Sequence, residues 1–145
     1  MSEQSLLSLF NEGQVTLPAG YQDRTVNVFT SADSQAPSFN ISRDTLNAGE
    51  TLAAYVDRQL ALMAKHLKGW KAGERGECTL GDNLTQGEIV QASYLREGKR
   101  IWQQQAVFTT PDSRILVFTI SSSAPLKDHD STQFLSLLRS FRLHA

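Results

Sequence analysis

This chain of 145 residues carries one cysteine, almost no excess of charge of either sign and no long hydrophobic run. Each scarcity excludes something. Cys78 cannot close an intrachain disulfide or belong to a cysteine-rich metal cage, which fits a reducing compartment. With 14 Lys and Arg against 15 Asp and Glu, the formal net charge of -1 argues against a general polyanion-binding surface, so no nucleic acid partner is expected. No apolar stretch approaches the roughly 20 residues that span a bilayer, and direct membrane insertion is not expected. Met1 to Phe10 lack the basic start, sustained apolar region and small-residue cleavage site of a secretory signal, so a cytoplasmic location is expected.

What is present suffices for one domain over residues 1–145. A chain of this length removes about two-thirds of its unfolded surface from water, and 40% hydrophobic residues argue against extensive disorder. A short strand is expected around Gln14–Leu17, before the Pro18-Ala19-Gly20 turn. Thr25–Phe29 and Ser38–Arg43 alternate with the two-residue period of strands and should form a hairpin across the 31–37 loop. Further strands are read near Trp70–Leu80, Glu88–Leu95, Arg100–Thr109 and Ser113–Ser121. Their separators are short, which suits antiparallel neighbours.

Two helices complete the pattern. Thr51–Leu67 is helical, with Thr51 as N-cap and Gly69 past its end. At about 100° per residue, Leu52, Tyr55, Val56, Leu60, Leu62, Met63 and Leu67 fan over roughly 160°, wider than the stripe a surface helix needs. Gln59 falls inside that fan, and part of the arc is free for a partner. A second helix is expected to start near Asp130, with Asp130 capping Gln133, and to run to about Ser140, burying Phe134, Leu135, Leu137, Leu138 and Phe141. Strands, an inserted helix, a meander and a closing helix describe an α+β fold: an antiparallel sheet packed with two main helices.

The residues supply little that reads as catalysis. Asp128-His129-Asp130 is the one place where a histidine neighbours carboxylates, and a solvated loop feeding a helix cap explains it better than a metal or ligand site. Cys78 has an acid beside it, Glu77, that would raise its thiol pKa, and no base. Gly69, Gly73 and Gly76 match no phosphate-cradling pattern. Ser121 to Ser123 lack the strand–turn–helix elbow of a nucleophile. No catalytic residue, cofactor or metal is assigned, and no enzymatic activity is expected.

One set of residues remains. On Arg100–Phe108, Ile101, Gln103, Gln105 and Val107 share one face, and Trp102, Gln104, Ala106 and Phe108 the other. Both faces mix polar and apolar side chains, so alternation alone assigns neither to core or solvent. Across nearly its whole length the chain resembles the Eag chaperones of bacterial type VI secretion, in the DcrB-like group with a Mog1/PsbP-like sandwich fold. The resemblance is carried, in order, by Tyr21–Phe29, Phe39–Asp44, Tyr55–Leu60, Arg96–Arg100 with the glutamine-rich strand after it, and Phe118–Ser123.

That resemblance implies a homodimeric adaptor, with no enzymatic activity, that binds the N-terminal transmembrane helices of a PAAR-domain effector, frequently an Rhs toxin, before the effector loads onto the VgrG spike. Carried over by position, the aliphatic lining of the client groove is Val26, Val28, Leu67 and Ile101, and its glutamines are Gln59 and Gln105. Met63 stands where some relatives have a small residue. An exposed client helix would aggregate or insert wrongly, since burial of its apolar surface is worth roughly 25 cal/mol per Å². The alternative is a PsbP-like structural or envelope protein without an effector client, which fold analogy leaves open.

Overall fold

The computed structural model describes residues 6–10, 12–33 and 35–144. Strands β1 (Leu6–Phe10) and β2 (Gly13–Leu17) form an antiparallel hairpin that is a sheet of its own. The remaining strands, β3 (Asn27–Phe29), β4 (Ser38–Thr45), β5 (Lys71–Leu80), β6 (Thr85–Arg96), β7 (Lys99–Thr109) and β8 (Arg114–Ser122), build one six-stranded sheet in the order β3-β4-β8-β7-β6-β5. Every pairing in it is antiparallel. β1 was not anticipated from the sequence. Its Leu-Leu-Ser-Leu-Phe run does not alternate cleanly, and Leu7 and Leu9 both remain exposed.

The turns explain the tight meander. Between β6 and β7, Glu97 and Gly98 both have positive φ, 51° and 79°. A two-residue hairpin with the right-handed strand twist needs that conformation at both positions, and glycine adopts it freely. β3 is shorter than expected, because the backbone reaches ladder geometry at Asn27 and Thr25 and Val26 lie before it.

Helix α1 (Leu52–His66) bridges β4 to β5. The Thr51 hydroxyl accepts from the Ala54 amide at 3.1 Å, the N-cap bond expected from the sequence. The helix closes with the Leu67 amide donating to the Met63 carbonyl, and Gly69 then turns the chain at φ 60°. Helix α2 (Asp128–Arg139) begins earlier than expected. Lys127 is its N-cap, and Asp130 occupies the third helical position, where its carboxylate accepts from the Lys127 amide at 2.9 Å. Asp130 therefore reaches back and does not cap Gln133. An acid in the first turn also suits the positive end of the helix dipole. Within α2, Phe134 and Leu138 are buried, Leu137 is half-buried, and Leu135 points out at 45% exposure, against expectation. The neighbours at three- and four-residue spacing carry the buried stripe, and Leu135 lies off it.

The two helices cover opposite faces. Tyr55 and Val56 of α1 pack with Val90, Val107 and Ile115, while Phe134 and Leu138 of α2 pack with Leu80, Ala106, Phe108, Phe118 and Ile120. Alternate residues of one strand point to opposite sides, so Val107 lies under α1 and its neighbours Ala106 and Phe108 under α2. This resolves the mixed pattern of β7: each face is covered by a helix in one part and left open in another.

Candidate functional site

α1 covers only part of its face of the sheet. Successive pairings place Val28, Asn40, Thr119, Gln105 and Val90 in one row across β3, β4, β8, β7 and β6. The next row is Ser38, Ser121, Gln103 and Ala92. Between α1 and β4 this surface holds a cavity of about 230 Å³, floored by Val107, Val117, Gln105 and Thr119 and walled by Gln59, Leu60 and Met63 of the helix. One register step along the strands lies a second, of about 420 Å³, between the 30–36 loop and Ser38, Asn40, Gln103, Ser121 and Ile101.

Of the groove residues inferred from the sequence, Gln59, Met63 and Gln105 come together at the first cavity and Ile101 lines the second. Val26 and Val28 line neither; they stand exposed, at 52% and 63%, at the β3 edge of the same face. Leu67, half-buried at the C-cap of α1, also lies outside both cavities. The Gln105 amide donates to the Met63 sulfur at 3.7 Å and to the Gln103 carbonyl oxygen at 3.0 Å. Gln103 donates in turn to the Ser121 hydroxyl at 3.1 Å. Among the described residues, nothing hydrogen-bonds the Gln59 side chain. These are not amides locked onto backbone inside a core.

The sequence places Gln103 on the right face without a role, and it assigns no groove role to Ser38, Asn40, Thr119 or Ser121. The signal for them is register: only the pairing of β4, β8 and β7 brings these separated polar residues into two adjacent rows. Gln104, in the same glutamine run, points the other way and is buried, donating to Ser131 of α2 at 2.7 Å. It anchors a helix.

At the deep end of the first cavity the Tyr55 hydroxyl donates to Asp44 at 2.7 Å, and the Arg58 guanidinium lies over the Tyr55 ring at 5.2 Å. Burial, then the Asp44 bond, push the Tyr55 pKa upward, so the phenol stays protonated as the donor. Arg58 makes a two-pronged pair with Glu50 at 2.8 and 2.9 Å. That bond first, and the Asn47 amide second, hold the Glu50 carboxyl down to about 2. The network fixes the start of α1 against the sheet.

Other candidate groups lie elsewhere. Cys78 faces the α2 core, and burial first, then the charge of Glu88, push its thiol up to about 12. The neighbouring acid Glu77 is not the cause. Asp128, His129 and Asp130 form the first turn of α2, and among the described residues no cluster has metal-ligand spacing. No described helix is long and apolar enough to cross a membrane.

Comparison with known proteins gives the class. Residues 12–140 match the DcrB family, and the chain belongs to that family. Among solved structures it is similar to PA94 from Pseudomonas aeruginosa, a protein of unknown function, at 22% identity and TM-score 0.72, covering 97% of this chain and 98% of that one. It is also similar, more distantly, to LpqN of Mycobacterium tuberculosis, involved in cell envelope biogenesis, at 12% identity and TM-score 0.44, covering 94% and 87%. No curated protein matches. The PA94 likeness supports the fold: an antiparallel α+β sandwich with a helix on each face.

Proposed function

We propose that this protein is an adaptor chaperone of type VI secretion that shields the N-terminal transmembrane helices of a PAAR-domain effector, of the Rhs kind, until the effector is loaded on the VgrG spike. The observation that carries this reading is the half-covered α1 face, where an apolar lining of Leu60, Met63, Val107 and Val117 meets half-buried glutamines and the same face carries exposed Val26 and Val28 at its β3 edge. Membrane helices associate through close apolar packing and occasional polar bonds. Such a face offers both. Each glutamine bond contributes about 1 kcal/mol, so apolar coverage supplies most of the affinity and the amides set register. Nothing in the chemistry of the site calls for catalysis.

A homodimer belongs to the same reading. Two grooves in one assembly hold two helices of one client with a gain in avidity. The β1–β2 hairpin, a sheet of its own with Leu7, Leu9 and Val15 exposed, supplies apolar surface for self-association. Co-expression with the N-terminal segment of a PAAR-domain effector from the same genome should give a soluble complex containing two copies of the chaperone by light scattering. An effector segment that stays insoluble, and a chaperone that purifies alone, would overturn the proposal.

A further inference from the structure

The α2 face of the sheet carries a cavity of its own. About 240 Å³ lies between the end of α2 and strands β3, β4 and β8, and five of the chain's seven phenylalanines line it: Phe29, Phe39, Phe118, Phe134 and Phe141. So many rings around one space set its chemistry. No charged side chain is among the lining residues, and the polar ones have nothing to spare. Asn40 and Thr119 pair across β4 and β8 and turn their side chains to the α1 face, so what they present here is backbone committed to strand pairing. The Ser140 hydroxyl donates to the Leu137 carbonyl at 2.6 Å. A water molecule held there would want two or more polar partners, and the lining supplies almost none. The walls are already in position: Phe39 stacks on Phe134 with centroids 6.4 Å apart, and Phe118 meets Phe141 edge-on at 6.1 Å. Phe29 differs. It is 48% exposed at the lip, on the three-residue edge strand, and stands in no ring pair among the described residues.

We propose that this cavity is a second binding site, for a small uncharged aromatic molecule of one or two rings. An apolar cavity of roughly 150 Å³ accommodates benzene, so this one has room for a substituted single ring or a fused pair. Aromatic rings attract one another through their quadrupoles at centroid separations of about 4.5–7 Å, beyond what burial of area supplies. Walls that are already ordered offer those contacts at little further cost in side-chain entropy. A charged guest would lose its hydration with no counter-charge in the lining, which excludes it. Nor does the end of the chain fill the space. Leu143, its last large apolar side chain, lines a neighbouring cavity with Leu80, Leu84 and Pro111, and Phe141 borders both. The site lies across the sheet from the α1 groove and does not depend on the client reading.

Three matched probes, added to the full isotope-labelled chain and followed by amide chemical shifts, test it: benzyl alcohol, cyclohexylmethanol, which hides as much apolar surface without a π face, and benzoate. Benzyl alcohol is expected to shift the amides of Ile41, Leu137, Ser140 and Phe141 saturably and to leave Gln59, Met63 and Gln105 in place. Cyclohexylmethanol should bind at least about threefold more weakly, and benzoate should give no saturable shift. Equal or tighter binding of cyclohexylmethanol, or saturable binding of benzoate, overturns the proposal of an uncharged aromatic guest. Shifts confined to the α1 face, or none that saturate, overturn the site itself. Leu137→Trp fills the cavity with a ring of its own and should abolish binding; a folded variant that still takes benzyl alcohol there contradicts the proposal. Where the larger side chain prevents folding, Phe29→Ala decides. At an exposed position it should move the melting temperature by no more than a few degrees yet weaken benzyl alcohol by about threefold, and an unchanged affinity rules the aromatic site out.

Discussion

Val28→Asp separates a binding surface from a core. Val28 lies on the α1 face at the β3 edge and keeps 63% of its surface exposed in the folded chain. Substitution of a residue so exposed changes stability by about 0.5 kcal/mol or less, and an aspartate on a three-residue edge strand adds at most a fraction of the roughly 1 kcal/mol span of strand propensity. The melting temperature is therefore expected to fall by no more than about 5 °C. Client binding should respond more strongly. Full burial of a valine side chain is worth about 1.5–3 kcal/mol, so covering the exposed part returns roughly 1–2 kcal/mol, or about 5- to 30-fold in Kd. An aspartate forgoes that and adds the cost of desolvating a carboxylate against an apolar helix. The checks are the melting temperature by circular dichroism and retention of the effector's N-terminal segment on affinity-tagged chaperone. A variant that melts far below the parent, or one that folds and retains the client at the parental level, would refute the reasoning. Ile101→Asp is a harsher version, because Ile101 is half-buried in the second cavity and exchanges more packing for charge.

Three further outcomes follow from the same structure. Glu50 is held down to about 2 by Arg58 and the Asn47 amide, so its contribution is complete above the ordinary value of 4.5 and is lost as pH falls toward 2; acid unfolding followed by far-UV circular dichroism should begin at higher pH than in the parent once Arg58→Met removes the pair, and coincident acid limbs would disprove it. Cys78, with its thiol pushed up to about 12 from an ordinary 9.0, should alkylate with iodoacetamide at pH 8 more than about 100-fold slower in the folded chain than in denaturant, and the protonated thiol favours the fold below pH 9 with that preference lost as pH climbs toward 12; rapid native labelling would contradict the burial. Gly87→Ala sets a Cβ against the Val107 carbonyl and the Phe108 ring, in the paired backbone between β6 and β7, where overpacking costs typically 1–3 kcal/mol or more; urea titration should show a lower midpoint, and an unchanged one would mean the ladder has room.

Much of the architecture was legible because it is local. Thr51 with its apolar spacing specifies α1, and the short polar separators specify antiparallel neighbours, each through interactions within a few residues. Where tertiary context intervenes, local pattern no longer decides. Asp130 carries the right chemistry for a helix start, but the chain enters α2 earlier, so it acts from the third helical position with Lys127 as cap. Leu135 is apolar yet exposed, since the face of α2 that packs on the sheet carries Phe134 and Leu138.

The site divides in the same way. The sequence by itself determined that α1 is broader in apolar arc than one contact needs, that Gln59 sits within that arc, and that Ile101, Gln103 and Gln105 share a side of one strand, because helical and strand periodicities are properties of the backbone alone. Only the tertiary structure decided that Ser38, Asn40, Thr119 and Ser121 join those glutamines, and that Gln104 turns away to hold α2. Those facts depend on which strands pair and in what register, and register is set over long sequence separations by turn geometry and by which apolar side chains must face each covering helix.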